Sequence, residues 1–177
     1  MLRSVTKKRP PFMTAQRWVF VIVASLLLLG TAIGIYFRDI QMPRWSAERD
    51  AEARAVEAAD LAEVEQVYHH IWNKESWVVK GVDANSDEVF VWLAEENEPM
   101  TLKASEGISA SELRSAFALG KPQADIKRMQ PGLLNDTPVW EIFYRIAGSP
   151  DRYYYDFYRF DDGTFIDEYK LPAETEP

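Results

Sequence analysis

The chain has 177 residues, 47% of them hydrophobic and 27% charged, with a formal net charge of −8 and no Cys. That length suits one domain or two small ones, and six Trp, eight Tyr and nine Phe supply the bulk of a packed core. Without Cys there are no disulfides, thiolate metal sites or Cys nucleophile, and an acidic balance with no basic cluster in the body of the chain argues against a nucleic-acid binder.

Residues 1–17 carry Arg3, Lys7, Lys8, Arg9 and Arg17 and no acid, a charge of +5. From Trp18 to Phe37 the chain runs for twenty residues without a charge. A helix rising about 1.5 Å per residue crosses roughly 30 Å in that length, the thickness of a bilayer's hydrocarbon. Beyond Phe37 the remaining 15 Lys and Arg face all 28 Asp and Glu, a balance of −13. The positive-inside rule then puts 1–17 in the cytoplasm and 38–177 outside the cell. Ala32-Ile33-Gly34 has the small-x-small spacing of a signal cleavage site. The apolar run, however, exceeds the roughly 7–15-residue core of a cleaved signal, so 18–37 is expected to be a single uncleaved transmembrane anchor.

Pro43 cannot continue a helix without losing a bond, which predicts a juxtamembrane linker over 38–45. Ser46 then caps a new helix rich in Ala, Glu and Arg, with Glu48 and Asp50 in its first turn. Ala51, Ala55, Ala58 and Ala59 give it a small-residue face that fits closely against a sheet; a solvated spacer helix is the alternative. Strand texture follows at 62–72, 76–83 and 88–94, with a short edge strand at 99–104 and a turn at Asn85-Ser86-Asp87.

Ser109-Ala110-Ser111-Glu112 has capping-box spacing and opens a second helix that Gly120 stops. Strands are expected again at 124–130, 138–147, 152–160 and 164–170, the last two joined by an Asp161-Asp162-Gly163 hairpin turn. The pattern is an α+β chain: a transmembrane helix, then two tandem αβββ modules with antiparallel sheets, at 46–105 and 106–171. A flexible tail, 172–177, ends it. Trp77 and Trp140, each opening a long middle strand, are expected to be buried.

Chemistry-bearing patterns are sparse. Glu95-Glu96, Asp151, Asp156, Asp161-Asp162 and Asp167-Glu168 supply carboxylates, but acids at this density read as a solvated face rather than as an acid–base pair. Neighbouring His69 and His70 point to opposite sides of a strand, so they do not chelate one metal. No phosphate-cradling Gly-rich loop or nucleophile elbow occurs. The residues thus predict no enzyme, no catalytic, metal or cofactor site, and no small-molecule substrate. In the aromatic hairpin Tyr153, Tyr155 and Phe157 share one face and Tyr154, Tyr158 and Phe160 the other. One face is expected in the core, and Tyr154, Tyr158 and Phe160 are the candidate protein-interaction face; plain cross-strand aromatic pairing is the alternative.

Several phrases in order carry a family resemblance: Trp77-Val78-Val79-Lys80-Gly81-Val82-Asp83, Val89-Phe90-Val91-Trp92-Leu93, Glu106-Gly107-Ile108-Ser109, Val139-Trp140-Glu141-Ile142 and the Tyr153–Phe165 hairpin. With the N-terminal span, these make the chain resemble the TseB-like (YpmB-like) cell-wall elongation regulators of Gram-positive bacteria. The resemblance implies cystatin-like, PepSY-related modules on the outer side of the membrane and a class B penicillin-binding transpeptidase as partner. Arg159 departs from the PepSY pattern, which has Asp four residues before the hairpin Gly. A PepSY-type protease inhibitor or chaperone is the alternative function that the same modules imply.

Overall fold

The computed structural model describes residues 15–95 and 97–172, with side chains at all of these except 15 and 37–44. Most of the basic segment expected at 1–17, and most of the tail expected at 172–177, lies outside the described residues. The chain divides into two units, Met1–Trp45 and Ser46–Pro177.

Helix α1 (Ala15–Ala59) runs through Pro43 without a break. The sequence predicted a linker over 38–45 and a fresh start at Ser46; both positions are helical instead. A single Pro removes one backbone donor and costs about 3 kcal/mol, which the uninterrupted turns on either side offset. Within α1, Gln16–Tyr36 is long and apolar enough to cross a membrane, and every residue from 16 to 36 is exposed. The helix stops where Asp60 turns left-handed, with φ of 49°.

The second unit holds two four-stranded antiparallel sheets. The first contains β1 (Leu61–Ile71), β2 (Glu75–Asp83), β3 (Glu88–Ala94) and β4 (Met100–Lys103), paired in chain order. A 3-10 turn at Ala104–Glu106 leads to α2 (Ala110–Gly120). The second sheet contains β5 (Ala124–Leu134), β6 (Thr137–Ile146), β7 (Arg152–Arg159) and β8 (Phe165–Lys170), again in chain order. An N-terminal apolar helix followed by two such sheets with their helices is an α+β fold.

The first sheet is buried on both faces, which alternation along β3 makes plain. Val89, Val91 and Leu93 pack with Val79 and Leu61 under Ala51 and Ala55 of α1. The alternate residues, Phe90 and Trp92, join Val78 on the other side, in a core shared with Leu113 and Phe117 of α2, with Trp140, Ile142 and Tyr144 of the second sheet, and with Phe160 just after β7. The two αβββ halves therefore share one hydrophobic core. Ala51, Ala55 and Ala59 are the Ala positions that touch the sheet, while Ala58 is exposed.

Trp140 is buried as expected, at 4% exposure, and its indole N–H donates to the Ile108 carbonyl at 3.0 Å. Trp77 is only half-buried, stacked on His69 with ring centroids 4.2 Å apart. The buried indole of the first sheet is Trp92, which faces the shared core and donates to the Gly132 carbonyl at 2.9 Å. A buried Trp needs an acceptor for its N–H, and in both cases a backbone carbonyl supplies it.

Candidate functional site

Helix α2 begins with the expected capping box. The Glu112 amide donates to Ser109 Oγ at 3.2 Å, and the Ser109 amide donates to Glu112 Oε2 at 3.1 Å. Leu113 and Phe117 then point into the core, while Ala116 and Gly120 stay exposed along one edge of the helix. Between that edge and strands β7 and β8 runs a groove of about 520 Å³, lined chiefly by Ala116, Phe117, Lys121, Tyr158, Phe165 and Glu168.

A bulge shapes this groove. Phe157 lies opposite Asp167, but the next residue, Tyr158, lies opposite Phe165, so Ile166 is an extra residue in β8. In a regular strand Phe165 and Glu168, three apart, face opposite ways. The bulge resets the alternation and brings both onto the groove side. There Phe165 meets Tyr158 edge-on, with centroids 5.6 Å apart.

The polar end of the groove is built around Lys121. Its place directly after α2 puts a cation at the helix C-terminus, where the dipole favours it, and its amide caps the Phe117 carbonyl at 2.8 Å. Its ammonium donates to Tyr144 Oη at 2.6 Å, Asp156 Oδ2 at 2.7 Å and Glu168 Oε2 at 2.6 Å. Asp156 and Glu168 stand directly opposite each other across β7 and β8, a like-charge pairing that destabilises a sheet unless a cation sits between them. Lys121 is that cation, and all three of its hydrogens are used.

The surroundings shift these groups. Burial would lower the Lys121 pKa, but hydrogen bonds to Asp156 and Glu168 outweigh it and raise the value. The hydrogen bond from Lys121 pulls Glu168 below the ordinary carboxylate range against partial burial. Burial, then the charge of Asp156, pushes both Tyr144 and Tyr158 well above the usual phenol range. Glu168 accepts both the Lys121 bond and the Tyr144 contact, at 3.0 Å, through Oε2, and its Oε1 has no hydrogen-bond partner among the described residues.

The family model described as "Cell wall elongation regulator TseB-like domain" matches residues 50–94, the end of α1 through β3. A curated relative, the probable cell wall elongation regulator TseB of Bacillus subtilis (strain 168), is 26% identical over 129 residues, covering 70% of this chain and 76% of the relative. The chain is similar to TseB and YpmB. Among solved structures, the YpmB protein from Bacillus subtilis superimposes with a TM-score of 0.61 at 22% identity, over 70% of this chain and 96% of that one. The segment matching the TseB-like model lies in α1 and the first sheet, whereas the groove belongs to α2 and the second.

The interaction face expected at Tyr154, Tyr158 and Phe160 is not an open surface in this TseB-like fold. Phe160 is 1% exposed in the shared core, and half-buried Tyr154 and Tyr158 pack against the same cluster. The sequence identified a shared face, but α2 and the first sheet cover most of it. On the opposite face, Phe157 is buried with Leu134 and Val139 beneath Trp72 and Tyr155. Only Tyr158 of the expected trio lines the groove.

His69 and His70 take separate environments. His69 Nε2 lies 2.7 Å from Glu75 Oε1, at the surface. His70 is fully buried where β1 meets the second sheet. Its Nε2 is 3.2 Å from Glu141 Oε2, without hydrogen-bond alignment, while Arg128 donates to Glu141 Oε1 at 2.9 Å. A Cβ on Gly132 would lie 2.4 Å from the His70 ring, so this approach requires Gly. No three His, Asp or Glu side chains among the described residues converge as metal ligands.

Proposed function

We propose that this chain is a non-catalytic, membrane-anchored regulator of cell-wall elongation that associates with a class B penicillin-binding transpeptidase on the outer side of the membrane. The observation that carries this reading is the TseB-like match at residues 50–94, in a chain whose N-terminal helix is apolar enough to cross a bilayer. The orientation rests on charge: +5 before the span against −13 after it. Residues 46–105 and 106–171 are then the two cystatin-like, PepSY-related modules of such a regulator. A non-catalytic role fits the Lys121 cluster, where a cation separates two acids instead of leaving them to work as acid and base. Anchoring both proteins in one bilayer raises their effective concentration, so a weak contact between outer domains suffices.

The test is crosslinking in intact cells, followed by purification of this chain and labelling of the captured transpeptidase with a fluorescent β-lactam. A labelled band that depends on the crosslinker supports the reading. Its absence, together with peptidoglycan cleavage by the purified chain, overturns it in favour of an enzyme. Protease added to intact protoplasts tests orientation: it is expected to remove the second unit and leave a short membrane fragment.

A further inference from the structure

We draw no further inference here: the strongest candidate, the partly exposed aromatic patch on the outer face of the second sheet where Phe143, Tyr153, Tyr155 and Tyr169 gather beside Trp72, is an unpartnered surface whose neighbours Arg128 and Arg145 already pair with acids of this chain, and nothing in the structure shows what covers it.

Discussion

Helices α1 and α2 each cover a four-stranded sheet, but they do so with different side chains. The C-terminal part of α1 meets the first sheet through Ala51 and Ala55, with β3 buried along every residue from Val89 to Ala94. Helix α2 meets the second sheet through Leu113 and Phe117, and leaves Ala116 and Gly120 over an open groove. Small side chains let a helix lie flat, so the contact leaves little room for an insertion. Large ones anchor the helix along a narrow line and leave the sheet beyond that line uncovered. In this molecule the first half is built to be sealed and the second to be approached, and the cation-bridged acids lie in the second.

The largest expected effect tests whether the two halves share one core. Trp92 and Trp140 come from different sheets yet occupy one cluster, so replacing either with Ala should destabilise the whole second unit by about 3–5 kcal/mol. Half-buried Trp77 should cost less, about 1–2 kcal/mol, on replacement with Ala. Chemical denaturation of the full chain in micelles, followed by Trp fluorescence, measures all three. Separate transitions for the two halves in Trp92→Ala would show two independent cores instead of one.

A smaller effect bears on the helix contrast itself. Ala55→Leu forces a larger side chain into a fully buried site beneath α1 and should cost about 1–3 kcal/mol. Ala116→Leu adds the same atoms at an exposed position over the groove and should change stability by no more than about 0.5 kcal/mol. Equal costs at the two sites would remove the distinction between a sealed and an open half.

Much of this architecture is legible in the residues. All eight strands and α2 follow from period-two alternation, turn signals and the Ser109 cap, and the Ala face of α1 announces its sheet. Other features depend on what covers each face, which alternation does not encode. Val78 and Val79 lie on opposite sides of β2 and both are buried, so the pattern around Trp77 alone does not say that Trp92 is the core indole. The Tyr154 and Phe160 face looked available because its covering elements, α2 and the first sheet, are distant in sequence. The Lys121–Asp156–Glu168 cluster was invisible for a similar reason. Its members lie 35 and 47 residues from Lys121, and the Ile166 bulge moves Phe165 to the side that strict alternation denies it.

The smallest expected effect is a pH dependence confined to the open half. Glu168 sits below its ordinary value of 4.5 because Lys121 donates to it, so ionised Glu168 stabilises the fold. That contribution is complete above about pH 4.5 and is lost as pH falls through the depressed folded value. Lys121 has the opposite sign: its raised value means that its contribution is complete below 10.5 and disappears only as pH climbs through the higher folded one. Between these limits the bridge is intact. Because the Glu168 side chain is 42% exposed, water screens the pair, and its contribution should stay below about 1 kcal/mol. Glu168→Gln keeps the shape and removes the charge. Its denaturation midpoint should fall slightly short of the parent's at pH 7, and the gap should narrow as both are acidified through the depressed Glu168 value. The absence of any gap at pH 7 would mean that an ionised Glu168 beside Lys121 adds nothing to the stability of the fold.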